Sequence, residues 1–521
     1  MHTSAYRPPL YYMLISLCAA SVAVEILYSN GRLQTLLLLL KIMLIALSLR
    51  AGVFYEYPGF YGTDTWGHIT TIEEWIKDGH ISTYLPTLAK PVVYANMPVM
   101  YLNDIATRIV TSLNPKDSLF VSVGLLNIVS ILFIYLLAQR LLGKKGALLA
   151  ALIVSVERFH IVYGVFLIPN VLGLTIYCMI FYLILGKNRS TSNIVLIFLL
   201  FLAMVFTHSA ASFITLVTLA FLLIANEIGK KLDRINKSDV NITFSMVGVF
   251  GVMMFSHWNF MFYKEEYTRL TSYLQQFYFS AVTTGPELVG LDSPTPTTSN
   301  RMEFLILVGF IMLGCLLWLS PKLRNNLRVN IIAATFMISS MTFLLPVFDI
   351  PNLAPSRWLP FILVIGVGLL VQGMLGLSAI GKSSIARVIL MAIIVFTFSM
   401  VSINNNAVNT HSPFVEAPIR LQYTQSEQSA IDTILENYEN KIVGDSPFMS
   451  EYFGFKNKFR EGGRLEDLPE IEGTNIIVVR KYVYTHLELL KESGSDKLAG
   501  LDSSQYNLIY RNHEVKAYLP R

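Results

Sequence analysis

Twelve apolar runs, each near the length of a helix that crosses a hydrocarbon core, leave this chain few folds open to it. They cover residues 9–28, 35–53, 118–138, 146–163, 167–186, 193–208, 211–228, 240–261, 304–320, 328–347, 357–379 and 386–403. Only 14% of the residues are charged and 53% are hydrophobic, with a mean hydropathy of +0.52. A soluble domain carries about 25% charge, so the deficit points the same way. The expected fold class is a mainly α, polytopic membrane protein of about twelve transmembrane helices, with a small C-terminal α/β domain outside the bilayer.

Residues 1–403 form the expected transmembrane region and 404–521 the soluble domain. Two long loops interrupt the first part, at 54–117 and 262–303; the second ends in the turn-rich stretch 292–300. No internal repeat is visible. The first apolar run follows Arg7 without a small-residue cleavage site and reads as a retained helix. Cys18, Cys178 and Cys315 all lie in apolar runs, which speaks against a disulfide framework or a thiolate metal site. The net charge of +5 is scattered through short loops and builds no basic face, so nucleic acid is not an expected partner.

Those short loops set the expected orientation. Arg32, Arg140, Lys144, Lys145, Lys187, Arg189, Lys230, Lys231, Arg234, Lys237, Lys322, Arg324, Arg328, Lys382 and Arg387 fall in one set of connections, which should be cytoplasmic. The long loops and the tail then share the opposite side. All nine histidines fall there too or at helix ends bordering it. Within the first two runs, Glu25 and Lys41 would each be costly alone, so they are expected to pair or to snorkel.

The loop 54–117 holds most of the chemistry. Trp66, Ile69, Ile72 and Ile76 recur at helical spacing, with Glu73, Glu74 and Lys77 on the other side and Gly79 as a stop. This is a helix lying along the membrane surface. A second follows, with Pro98 near its start and Leu102, Ile105, Ile109 and Leu113 as its apolar stripe. Asp64 stands where the first helix begins, and His68 is on the same face one turn later. As the plainer reading, Asp64 is an N-cap. A carboxylate at the lipid–water boundary also serves as general base or metal ligand, and the helix N-terminus beside it suits a phosphate.

Other outer residues carry two readings each. His160 is an interface histidine or a second partner to the site. His208 lies in a short turn between two runs, and either fills a polar turn or joins the site. His257 and Trp258 read as an interfacial anchor. The segment 262–303 is a connector or a substrate-gating loop. In the tail, Ser426–Tyr438 reads as a helix, 441–445 and 475–479 as buried strands, and 506–510 with 514–518 as a hairpin.

An early span, an outer loop opening on Gly62-x-Asp64-x-x-x-His68, two surface helices, many further spans and a soluble outer tail together resemble the GT-C superfamily of glycosyltransferases, above all its archaeal members. The resemblance is good over residues 35–260 and thinner beyond. It implies transfer of a sugar from a polyprenyl-phosphate carrier to an acceptor outside the cytoplasm. Asp64 takes the place of the family's catalytic or metal-binding acid. Glu157, in Val156-Glu157-Arg158-Phe159-His160, matches a second acidic position. Arg357, in Pro355-Ser356-Arg357-Trp358, matches an arginine that meets the carrier phosphate, a task suited to a bidentate guanidinium.

The chain departs from the pattern in three ways. It has two spans before the catalytic loop, where the family has one. It has one aspartate in place of an Asp-x-Asp pair. Its tail lacks the Trp-Trp-Asp signature of oligosaccharyltransferases, which points to transfer of a single sugar or short unit. The resulting expectation is a multi-pass cell-membrane glycosyltransferase whose partners are a lipid-linked sugar donor, an extracytoplasmic acceptor and the bilayer. Asp64 and Glu157 would be catalytic or would hold a divalent cation (Mg or Mn). Arg357 and His208 would bind the donor phosphate, with His68 and His160 behind them. A polysaccharide polymerase or ligase, and a transporter of lipid-linked glycan, are the alternatives.

Overall fold

The computed structural model describes residues 9–56, 59–82, 84–85, 90–91, 93–186, 190–233, 242–261, 298–320, 322–323, 326–344, 355–403, 424–438, 442–444, 476–480, 506–512 and 515–520. Its helices, in chain order, are α1 (Pro9–Tyr28), α2 (Arg32–Phe54), α3 (Thr63–Asp78), α4 (Val99–Thr111), α5 (Pro115–Leu119), α6 (Leu125–Val156), α7 (Arg158–Val165), α8 (Pro169–Ile184), α9 (Thr191–Val205), α10 (Ser209–Asp233), α11 (Phe244–Met261), α12 (Thr298–Leu319), α13 (Asn326–Leu344), α14 (Pro355–Ser378), α15 (Ser384–Ile403) and α16 (Gln425–Asn437). The mainly helical, multi-span class stands as expected. Seven of the described helical stretches, against the twelve expected, are long and apolar enough to cross a membrane, and α8 and α9 are apolar but shorter. The most apolar stretch of α14 is 78% buried, against 22% for α12 and 28% for α15, so α14 is central and the other two lie toward the rim.

Two expected runs take a different form. Residues 118–138 and 146–163 become two legs of α6 and its short lead-in, folded at Gly143, whose φ of 72° and ψ of −175° suit a residue without a side chain. The second leg stops at Val156, because Glu157 is extended (φ −76°, ψ 135°) and starts the separate helix α7. The expected loop 262–303 also ends early: residues 298–303 already belong to α12, and 262–297 lie outside the described residues.

The short basic connections meet at one end of the bundle. The Lys144 Nζ donates to the Gly31 carbonyl and the Lys145 Nζ to that of Leu27, each at 2.6 Å. Arg328 donates to the Leu141 carbonyl at 2.7 Å, and Arg140 to that of Tyr182. The Leu27 and Tyr182 carbonyls lie at helix C-terminal ends, where such groups lack an intrahelical donor, while that of Gly31 also accepts from the Thr35 amide. Lys41 and Glu25 pair at 2.6 Å across α2 and α1, as expected of two charges in apolar runs.

The loop 54–117 forms α3 and α4. Trp66, Ile69, Ile72 and Trp75 of α3 are buried, while Ile76, expected on the same stripe, is 39% exposed. In α4 the inward face is Met100, Tyr101, Asp104 and Arg108, and the apolar stripe turns away from the protein, with Ile109 72% exposed. That is the face a surface helix presents to lipid. Arg108 binds buried Asp104 at 2.7 Å and reaches Glu73 of α3, while Ser118 and Ser122 donate to Asp104 at 2.8 and 3.0 Å. Arg108→Ala should cost about 3–5 kcal/mol by stranding a buried carboxylate. The expected result is a lower unfolding midpoint in detergent and faster proteolysis of the α3–α4 segment.

The tail elements fall close to their expected places. A four-stranded sheet has the order β3 (Ile442–Gly444), β4 (Ile476–Arg480), β6 (Val515–Pro520), β5 (Tyr506–Arg511), following a two-residue ladder of β1 (Tyr84–Leu85) and β2 (Lys90–Pro91) in the first loop. β3 and β4 run parallel and the other pairs antiparallel. β4 is buried throughout, and α16 opens on a Thr424/Glu427 capping box. A Cβ placed on Gly59 would lie 2.5 Å from the Gln428 Nε2, so α16 sits directly against the chain leading into α3.

Candidate functional site

The α3 N-terminus is built by Gly62. Its φ of 78° and ψ of 148° lie where only glycine is comfortable, and an added Cβ would stand 2.0 Å from the Phe166 ring. Gly62 is therefore the N-cap, and Asp64 falls within the first turn. This corrects the expectation that Asp64 caps the helix: the cap residue makes no side-chain hydrogen bond, and the Asp64 carboxylate is exposed at the positive end of the helix.

His68, one turn on, is buried and joins residues from two other segments. Its Nδ1 lies 2.7 Å from the Tyr101 hydroxyl, and its ring meets Tyr94 edge-on at 5.0 Å. Tyr94 stacks on His208 at 6.0 Å, with its hydroxyl 3.5 Å from the His208 Nε2. The His208 Nδ1 accepts from the Ala211 amide at 3.3 Å. The amide of Val99 reaches the Phe206 carbonyl, and the His257 ring packs on Phe206 at 4.7 Å. His257 and Trp258, expected as an interfacial anchor, are instead only 7% and 9% exposed. The structure thus brings His68 and His208 together through Tyr94 and Tyr101, which sequence reasoning missed.

Glu157 and His160 form a second cluster at the start of α7. Glu157 is fully buried; its Oε2 accepts from the His160 amide at 2.9 Å, and its Oε1 has no hydrogen-bond partner. Burial, and then the nearby charge of Glu303, push its carboxyl well above the usual carboxylate range. Arg158 pairs with Glu303 at 3.3 Å. An apolar crevice opens beside that pair between α12 and α14, lined by Phe304, Leu307, Ile311, Leu359 and Leu363. Glu303, expected in a loop, lies on α12 and is 2% exposed. The His160 ring is held between the guanidinium of Arg50 and Ser130.

Asp64 and Glu157 belong to opposite ends of α7: Gly62, two residues before Asp64, packs against Phe166 at its C-terminus, and Glu157 caps its N-terminus. Arg357 is the third residue of α14, and its side chain lies outside the described residues. Among the described residues no three His, Cys, Asp or Glu side chains converge as metal ligands.

Arg50 was the clearest missed signal. It is a charged residue inside the apolar run 35–53, and such a residue is a candidate for function by its cost alone.

The family model for dolichyl-phosphate-mannose-protein mannosyltransferase matches residues 97–258, a stretch that contains Glu157, His160 and His208. No curated protein matches the chain. Among solved structures, the oligosaccharyltransferase of Archaeoglobus fulgidus in complex with Zn and sulfate is 12% identical, with 92% of this chain and 73% of that one covered and a TM-score of 0.53. The archaeal oligosaccharyltransferase AglB from Archaeoglobus fulgidus, with an inhibitory peptide and a dolichol-phosphate, is also 12% identical, with coverage of 94% and 74% and a TM-score of 0.51. The family match covers less than half of the chain, and the likeness to the solved structures shows the fold alone, a multi-span helical membrane bundle.

Proposed function

We propose that this chain moves a sugar from a polyprenyl-phosphate-linked donor to a glycan, lipid or protein acceptor on the non-cytoplasmic side of the membrane. The observation that carries this reading is the meeting of α3, α4 and the turn before α10 at the end of the bundle opposite the basic connections. The exposed Asp64 carboxylate stands in the first turn of α3, one turn before the buried His68. The orientation rests on the basic residues of the opposite end. Residues 404–521 act as an outer domain that braces the site or meets the acceptor.

In this mechanism Asp64 is the general base. It takes the proton of an acceptor hydroxyl as that oxygen bonds to the anomeric carbon, and the bond from that carbon to the phosphate oxygen breaks. The polyprenyl phosphate leaves with the bonding electrons. Arg357 and His208 hold its phosphate, and the α3 N-terminus adds backbone N–H groups and a partial positive charge. The crevice between α12 and α14 suits a length of isoprenoid chain. The acidic residues that would hold a divalent cation such as Mg or Mn are Asp64 and Glu157. The buried, unpartnered Oε1 makes Glu157 the better fit of the two. Such a cation, when bound, would offset charge on the departing phosphate.

The test is transfer of labelled sugar from a polyprenyl-phosphate-linked donor by the full-length protein in liposomes. Whether Glu157 serves as ligand or as base, it must be ionised. Its carboxyl is held well above the usual range, so it is protonated and inactive below that raised value, and activity should climb as pH rises through neutrality. The measurement is the initial rate from about pH 6 to about pH 9, compared with Glu157→Gln. No transfer at any pH from mono- or diphosphate carriers would end the donor assignment, and an identical pH limb in the variant would end that of Glu157.

A further inference from the structure

Arg50 is fully buried on α2, yet every described partner of its guanidinium lies in a fixed place. Its Nε donates to the Asn127 Oδ1 at 3.2 Å. Its Nη1 donates to the carbonyls of Ala46 at 3.1 Å and Ser155 at 3.0 Å. Its Nη2 lies 2.7 Å from the His160 Nδ1. A guanidinium has no acceptor, so Nδ1 accepts and the imidazole is neutral, with its proton on Nε2. The Ser130 Oγ, 2.9 Å from Nε2, receives that proton's hydrogen bond and donates its own to the Asn127 carbonyl at 2.6 Å. All donors and acceptors in the chain run in one direction.

The network ties α2, both legs of α6 and α7 together through a single arginine. Gly164 allows the approach: a Cβ there would be 2.6 Å from the Arg50 Cδ and 2.7 Å from the Asn127 Oδ1. The main-chain amide of the same His160 is the one that Glu157 caps. We infer that Arg50 is a positioning residue, gripping α7 by the His160 ring so that the Glu157 carboxylate is held in its working place. This rests on the proposed role of Glu157. A cation inside an apolar span is costly, and a neutral residue could brace three helices without that cost; a guanidinium supplies several donors in one fixed plane.

The test uses the full-length protein in liposomes with the donor described above. Arg50→Lys keeps the charge and loses the planar fork. It should lower kcat about 10²-fold, the cost of a misplacement near 1 Å, with KM for the donor unchanged within about twofold. On a Glu157→Gln background the same substitution should cost less than about twofold, because it acts through the group already removed. Gly164→Ala removes no polar group but displaces the guanidinium, and should follow the same pattern; it serves if Arg50→Lys fails to accumulate. Equal losses on both backgrounds, or a loss carried by KM, would overturn the positioning role. Wild-type rate in Glu157→Gln alone would instead overturn the assignment of Glu157. If that variant has no measurable rate, the split between kcat and KM in the single variants decides.

Discussion

Asp64→Asn should reduce sugar transfer by about 10²–10⁴-fold, the usual contribution of a positioned general base, while the protein accumulates and inserts as before. The separation of these two effects follows from the site's construction. Gly62, not Asp64, caps α3, and the Asp64 side chain is exposed, so the amide substitution removes no cap and no buried partner. The amide cannot accept the proton of an attacking hydroxyl. The measurement is initial transfer rate in liposomes beside the amount of folded protein recovered from membranes. Transfer within a few-fold of wild type would remove Asp64 from the chemistry. Loss of the protein itself would show that its role is structural.

Gly62→Ala should have the next largest effect, by a different route. Any side chain at φ 78° and ψ 148° is strained by about 1–3 kcal/mol. The new methyl would also stand 2.0 Å from a ring carbon of Phe166, so the ring or the start of α3 has to move. Moving the ring disturbs the C-terminal end of α7; moving the helix shifts Asp64, and a displacement near 1 Å costs about 10²-fold. The expected result is a kcat loss of about that size together with a lower unfolding midpoint, whereas Asp64→Asn should lower kcat alone. An alanine variant with wild-type rate and midpoint would mean that this corner of the site is slack.

Much of the architecture was legible because a membrane helix announces itself locally. Each apolar run states its own length and position, and the tail strands state theirs by short apolar blocks between turns. The start of α7 was not legible in that way: apolar stretches lie on both sides of the Glu157-Arg158 pair, so the break vanished into one run, and only the extended backbone of Glu157 separates the helices. The direction of α4's stripe was hidden for a related reason. Spacing shows that Leu102, Ile105 and Ile109 share a face, but a polar inner face built on Asp104 and Arg108 is decided by partners in α3 and α5. In the candidate site, Asp64 and His68 were readable as a turn of helix. The meeting of His68 with His208 depends on Tyr94, from a segment with no motif of its own. Arg50 was readable as a charge and unreadable as a clamp, because its side-chain partners Asn127 and His160 are 77 and 110 residues away in the chain.

The turn at Gly143 places two tasks on one pair of residues. Lys144 and Lys145 belong to the charges that instruct insertion machinery which end of the bundle to retain. Their ammonium groups also close the carbonyls of Gly31 and Leu27 at the α1–α2 turn. Removing them would blur the address label and unpick a seam between the first helices in one stroke. A bundle in which α1 and α2, or α6, inserted in the wrong sense relative to the rest would lack that seam, and so would carry its mistake as a loosened fold.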